Sequence, residues 1–132
     1  MKKLKSILVF ALFLLSLGAF AQTKSKVIAL VTKADWCSTC KANGNRVVTE
    51  VLPLYQEPQV KIVVNDLTDK QTKATSNAIL VAEGIAKISA KSNTTGQITF
   101  INTSTKKVIS KISVAKSNAE IKNAFDEAIR KS

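Results

Sequence analysis

The chain has 132 residues, of which 20 are Lys or Arg and 9 are Asp or Glu, and its formal net charge is +11. The lysines are scattered along the sequence and only 5% of the residues are aromatic. Nucleic-acid sites typically combine clustered Arg with stacking rings, so we expect no nucleic-acid partner and interpret the charge as a solvated basic surface. The sequence has no His and only one Met, so it lacks ligands that zinc and copper sites favour.

The first 21 residues have the pattern of a secretory signal peptide. Three of the first five residues are lysine, an apolar run covers residues 7–20, and small residues precede a cleavage point after Ala21. The apolar run has about 14 residues, fewer than the roughly 20 that a membrane-spanning helix needs. We therefore expect cleavage after Ala21 and no stable membrane insertion afterwards, the alternative being an uncleaved N-terminal anchor. Residues 22–132 then form one domain in the periplasm or outside the cell.

The first half of this domain predicts two strands that alternate with two helices. Residues 27–31 form a continuous apolar run, which is typical of a strand buried on both faces. A helix is predicted over residues 37–51, where the following proline ends it. A second strand is predicted at 60–65, and a second helix at 69–83, with Gly84 as its stop.

The second half predicts a hairpin and a closing helix. The segment 85–96 gives no clear helix or strand pattern, and it ends in loop-forming residues. Residues 97–102 and 108–114 are rich in β-branched side chains and form the two strands of the hairpin. A capping box of Ser117 and Glu120 begins the last helix. Its apolar face consists of Ile121, Phe125, Ala128 and Ile129.

This order of elements, β-α-β-α-β-β-α, predicts an α/β domain. A helix between successive strands favours parallel pairing, whereas the hairpin adds antiparallel pairing. The expected fold is therefore a four-stranded mixed sheet with helices on both faces.

The two cysteines, Cys37 and Cys40, are separated by only two residues. A disulfide between them would close almost no loop, so it would contribute little to stability, and its value is chemical. A bare Cys-x-x-Cys pair also binds metals, but a zinc site needs two further ligands. Asp35 and Asp66 are the spare ligands that such a site could use.

The segment 34–41, with the sequence Ala-Asp-Trp-Cys-Ser-Thr-Cys-Lys, resembles the active-site segment of thioredoxins. Within that family it is most similar to the C-terminal domain of the DsbD-type disulfide reductases of the periplasm. The strand before the motif and the helix after it agree with this resemblance. The resemblance covers most of the domain in layout but only these eight residues in detail. It implies a thioredoxin-like fold without the additional N-terminal strand and helix of full thioredoxins.

The resemblance implies a role for each residue of the motif. Cys37 would be the nucleophile and Cys40 the resolving thiol, so that the pair forms the redox disulfide. A position at the start of a helix favours a thiolate at Cys37, and we expect Cys40 to lie deeper. Ser38 and Thr39 would tune the redox potential. Trp36 would cover one side of the site; plain packing is the other interpretation, and the two roles are compatible.

Two departures from the family concern the surroundings of the cysteines. Val31 stands where thioredoxins bury an acidic residue, so proton transfer from the resolving thiol would need water or another group. The cis-proline that faces the cysteines in the family is also missing. Gly96, preceded by Thr95, is the preferred replacement because glycine allows unusual backbone angles and close approach. Ser89 is the alternative, and we expect a trans peptide bond in either case.

The sequence therefore predicts a thiol–disulfide oxidoreductase that exchanges electrons between the Cys37/Cys40 dithiol and protein disulfides. We expect a reductase or electron relay, a monomer without bound cofactor, served by an upstream redox partner. The alternative is a non-catalytic binding module on the same scaffold with a permanently paired Cys37–Cys40. A metal-binding thioredoxin-like protein is a third hypothesis.

Overall fold

A computed structural model describes residues 24–132, so the predicted signal peptide and its cleavage site lie outside the described residues. Four strands form one sheet, and four helices and a short 3₁₀ helix connect them. The strands are β1 (Val27–Lys33), β2 (Val60–Asp66), β3 (Gln97–Asn102) and β4 (Val108–Ser113). The helices are α1 (Ser38–Glu50), α2 (Lys70–Ala82), α3 (Ala86–Lys91) and α4 (Asn118–Lys131), and the 3₁₀ helix is Leu52–Leu54.

The strand order across the sheet is β2-β1-β3-β4. β1 runs parallel to β2, with Val27 opposite Val60, and antiparallel to β3, with Val27 opposite Asn102. β3 and β4 form the antiparallel hairpin, with an irregularity between Phe100 and Ile101. The predicted four-stranded mixed sheet is confirmed.

Apolar side chains lie on both faces of the sheet because successive residues of a strand point to opposite sides. Val27 and Ala29 face the layer formed by α1 and α4, whereas Ile28 and Leu30 face α2 and α3. Phe125 of α4 is fully buried on the first face, where it packs edge-on against Phe100 and stacks on Tyr55. The prediction of helices on both faces is confirmed.

Local sequence signals place the ends of the longer helices. Ser117 and Glu120 form the predicted capping box at the start of α4. Asp69 and Thr72 form a second capping box at the start of α2. Gly84, with φ of +72°, follows α2 at the predicted stop. Its positive φ belongs to the left-handed region that glycine adopts without steric cost.

The segment 85–96, which gave no pattern in the sequence, contains helix α3. Ile85, at the N-cap position, provides no side-chain capping bond, so the helix lacks a start signal. It forms because Ile85, Ala86 and Ile88 pack into the core on the α2 side of the sheet. Among the helices of residues 24–132, none combines the length and the apolar character needed to span a membrane.

Candidate active site

The cysteine pair lies where β1 ends and α1 begins, at the carboxyl end of a central strand. The chain leaves β1 through the buried Ala34 and turns at Asp35 and Trp36. The backbone N–H of Cys37 then donates to the carbonyl of Ala34 at 3.1 Å, which closes the turn. Cys37 is the N-cap of α1, and its disulfide to Cys40 joins Cα atoms 5.2 Å apart.

The start of α1 directs one backbone donor at the sulfur of Cys37 and another at its carbonyl. The N–H of Cys40 donates to Cys37 Sγ at 3.2 Å, and the N–H of Lys41 donates to the Cys37 carbonyl at 3.0 Å. The first turn of α1 contains no acidic residue. Unpaired N–H groups and the positive end of the helix dipole both stabilise negative charge. Opening of the disulfide would therefore leave Cys37 where a thiolate is favoured.

The relative depth of the two cysteines is the reverse of the prediction. Cys37 is only 6% exposed, whereas Cys40 is half-buried. Gly96, the residue before β3, lies close to Cys37, while Cys40 borders two cavities. The expectation that Cys40 lies deeper is wrong for the oxidised pair.

Gly96, the residue immediately before β3, lies close to the cysteine pair. Its φ is +77°, and an added Cβ would lie 3.1 Å from Thr39 Cγ2 and 3.7 Å from Cys37 Sγ. The Gly96 N–H donates to the Thr32 carbonyl at 2.8 Å, and its own carbonyl accepts from Val114 N–H at 2.9 Å. The backbone is thus held between β1 and the end of β4, with no room for a larger residue.

Ser89, the alternative position, belongs to α3. It is buried, and its hydroxyl accepts a hydrogen bond of 2.9 Å from Asn65 Nδ2. Of the two candidates, Gly96 is therefore the one beside the disulfide. Within residues 24–132 the cis peptide bond is Glu57–Pro58, so the Thr95–Gly96 bond is trans.

The other motif residues differ in exposure. Trp36 is 61% exposed, so it is not a core residue. Ser38 is exposed at the first position of α1. Thr39 is half-buried and faces Gly96, and Thr95 is half-buried in the loop before β3. Cys37, Thr39 and Gly96 are therefore brought together, whereas Trp36 and Ser38 lie at the surface.

A charged cluster beside Cys40 was not predicted from the sequence, whose scattered lysines indicate a solvated basic surface. Lys33 Nζ lies 3.0 Å from Asp66 Oδ2 and 3.5 Å from Asp35 Oδ1. Its hydrogen bond to Asp66 raises the pKa of Lys33, and the hydroxyl of Thr68 lowers the pKa of Asp66. The register explains the contact, because Lys33 and Asp66 are opposed at the ends of two parallel strands.

Arg46 fixes the position of the helix that carries the cysteines. Its guanidinium donates to Val114 O at 2.9 Å, to Lys116 O at 3.1 Å and to the side chains of Asn43 and Asn118. Asn43 lies on α1 itself, and the other partners join α1 to the segment after β4 and to the first residue of α4. A planar group with five donors suits such divergent acceptors, which a lysine could not serve together.

A cavity of about 640 Å³ lies at the opposite end of the sheet from the cysteines. The salt bridge of Lys61 and Glu83 borders it. Within residues 24–132, no three His, Cys, Asp or Glu side chains cluster closely enough to hold a metal ion. The disulfide at the start of α1 is the group around which a candidate site can be built.

Comparisons with known proteins identify structural likeness only. No protein-family model matches the sequence, and no protein of curated function matches it. The structure is similar to that of Trxlp from Edwardsiella tarda, with 16% identity, a TM-score of 0.49, and coverage of 80% of this chain and 86% of that chain. It is also similar to the thioredoxin Mala s 13 of Malassezia sympodialis, with 14% identity, a TM-score of 0.49, and coverage of 81% and 80%. At these levels the likenesses carry no functional weight, and the fold assignment stands on the observed sheet order and connections.

Proposed function

We propose that this chain is an exported thiol–disulfide oxidoreductase whose reactive group is the Cys37–Cys40 pair. The observation that supports it most is a disulfide at the first turn of α1, with the Cys40 N–H directed at Cys37 Sγ at 3.2 Å. A structural disulfide across three positions removes little entropy from the unfolded chain, so stability does not account for this one. Its location at a helix start favours the thiolate needed for exchange.

In the proposed reaction, the reduced protein transfers two electrons to a protein disulfide. The Cys37 thiolate attacks one substrate sulfur, a mixed disulfide forms, and the other substrate sulfur leaves as a thiolate that takes up a proton. Cys40 then loses its proton and attacks Cys37 Sγ. The Cys37–Cys40 bond forms, the mixed disulfide breaks, and the second substrate thiol is released. The motif favours a reductase or electron relay, which an upstream redox partner would recharge without a bound cofactor.

The burial of Cys37 favours the second candidate, a binding module whose cysteines stay paired. Cys37 is only 6% exposed, so its sulfur is poorly placed to attack a substrate disulfide unless the loop at Gly96 moves aside. Val31, in place of a buried acid, also leaves the resolving thiol without a neighbouring carboxylate on that strand. The two candidates differ in whether the disulfide opens at biological redox potentials.

A redox titration of the purified protein against glutathione and dithiothreitol buffers distinguishes them. The enzyme is expected to show one two-electron transition between roughly −300 and −120 mV. With a disulfide substrate, the Cys40→Ser variant should accumulate a mixed disulfide at Cys37, and the matched Cys37→Ser variant should not. A pair that remains oxidised well below this range would exclude the exchange enzyme and leave the binding module.

Export to the periplasm or the medium is part of the same proposal. It is supported by the charged, apolar and small-residue regions of residues 1–21. Mass spectrometry of the protein recovered from the cell envelope or medium should give an N-terminus at Gln22. Recovery of the intact chain from the cytoplasm alone would contradict export without bearing on the thiol chemistry.

A further inference from the structure

A cavity of about 240 Å³ lies next to Cys40, between α1 and the sheet. Its apolar walls come from both layers: Val31 lies on β1, Val47 on α1, and Leu52 in the 3₁₀ helix that follows. Cys40 and Gly96 border it at the end near the disulfide. We call this space the Gly44 cavity, after the helical residue whose missing side chain helps to form it.

The pattern of residues on α1 explains why the cavity exists. One stripe of the helix carries residues at helical spacing. Gly44 follows Cys40 by four residues, and Val47 and Val48 follow Gly44 by three and four. A Cβ added at Gly44 would meet no atom within 4 Å. Gly44 therefore leaves a notch between the sulfur of Cys40 and the valines one turn later. Opposite the notch, Val31 presents an aliphatic wall.

The Gly44 cavity is open to solvent. Val48, at its rim, is 57% exposed, and Cys40 is half-buried. When an apolar group displaces water from an apolar space, the free energy of the system falls. A dry apolar cavity of about 150 Å³ already holds a benzene-sized group, so the larger Gly44 cavity has room for one aliphatic side chain.

We propose that the Gly44 cavity is a substrate subsite for an aliphatic side chain, such as Leu, Ile or Val, that neighbours the reacting cysteine of a substrate polypeptide. This inference rests on the proposed function. Successive Cα atoms are about 3.8 Å apart, so a residue adjacent to the substrate cysteine stays within reach of a cavity that borders the disulfide. The subsite makes exchange selective for sequence around the substrate cysteine and leaves the electron transfer itself unchanged.

The test uses short peptides whose single cysteine is joined to glutathione. In one peptide both residues next to that cysteine are Leu. In the second peptide both are Ser. The readout is the ratio of kcat/KM for the two peptides, because a general change in activity leaves a ratio unaffected. For the unaltered protein we expect a ratio of about 10 in favour of Leu, the discrimination that a small apolar pocket provides.

Two variants at one position complete the test. Gly44→Leu fills the notch and should reduce the ratio to about 1, whereas Gly44→Ala adds one methyl group and should retain most of it. Both replace glycine inside a helix by better helix formers, so both are expected to fold. Should Gly44→Leu fail to fold, the exposed rim variant Val48→Asp is expected to lower the ratio in the same way.

Three results would overturn the subsite. They are equal rates for the Leu and Ser peptides, a preference for Ser, and a Leu preference that survives Gly44→Leu. In each of these cases oxidised glutathione or the peptides are still reduced, so the proposed oxidoreductase stands. A folded protein that reduces neither the peptides nor oxidised glutathione overturns both the subsite and the proposed function.

Discussion

The three glycines of the described residues provide a graded test of how tightly the backbone packs against the Thr39 side chain, beside the disulfide. Gly44→Ala should stabilise the protein by about 1 kcal/mol, because it lies inside a helix with no atom near the added Cβ. Gly84→Ala should cost about 1–2 kcal/mol, because its φ is +72° but its nearest neighbour, Lys106 Cε, is at an ordinary 3.5 Å. Gly96→Ala carries the same backbone cost at φ +77°, together with contacts of 3.1 and 3.2 Å to Thr39. We therefore expect a total cost of about 2–4 kcal/mol for this variant.

Urea unfolding of the oxidised variants, followed by far-ultraviolet circular dichroism, measures these differences. Each substitution removes the same glycine freedom from the unfolded chain, so that contribution cancels when the variants are compared. The crowding at Gly96 is isolated by adding Thr39→Ser, which deletes the methyl group at 3.1 Å and should recover part of the loss. Costs for Gly96→Ala and Gly84→Ala that agree within about 0.5 kcal/mol would contradict crowding against Thr39. Failure of Thr39→Ser to rescue Gly96→Ala would contradict it too.

Three further predictions concern groups around the core and the site. Burial and the Asp126 carboxylate raise the pKa of Tyr55, the chain's single tyrosine, to about 12, so its absorbance titration should be centred near 12 and should move down in Asp126→Asn. The raised pKa contributes stability below the ordinary pKa near 10, and this contribution is lost as the pH rises towards 12. The Thr68 hydroxyl lowers the pKa of Asp66, so Asp66→Asn should destabilise the protein at neutral pH, with a difference that shrinks as the pH falls through the lowered pKa. A constant difference in acid denaturation curves would refute this. Arg46→Lys should cost about 1–3 kcal/mol in urea unfolding because one ammonium cannot serve the same acceptors, and an unchanged midpoint would refute that role.

Much of the fold follows from local patterns in the sequence. The apolar run at the start of the domain became the central strand β1, buried on both faces. Ser117 and Glu120 began α4 as their capping box predicted, because both hydrogen bonds form within one turn of chain. The hairpin of β3 and β4 also formed near its predicted bounds. These features depend on neighbours within a few residues, which a single sequence displays directly.

Helix α3 is the α-helix that the sequence did not predict. It has only six residues, and its N-cap residue Ile85 forms no side-chain capping bond. Its stability comes from contacts of Ile85 and Ile88 with the core around β1 and β2, which are distant in sequence. Helices this short are marginal on propensity alone, so tertiary packing decides whether they form.

Part of the candidate site could be found from the sequence as well. The spacing of Cys37 and Cys40, and the strand and helix on either side, located the reactive pair. Gly96 was preferred over Ser89 because glycine permits the close approach that the structure shows. The salt bridge of Lys33 with Asp66 was missed, because it depends on the register between two strands that lie 33 residues apart.

The sequence by itself determined the spacing of Cys37 and Cys40 and which local elements hold them. The tertiary structure alone decided how the two sulfurs are presented: Cys37 is buried under the start of β3, and Cys40 borders the Gly44 cavity. The physical reason is that burial depends on atoms brought together from β1, α1, β3 and β4. Neither residue type nor spacing along the chain specifies those distances.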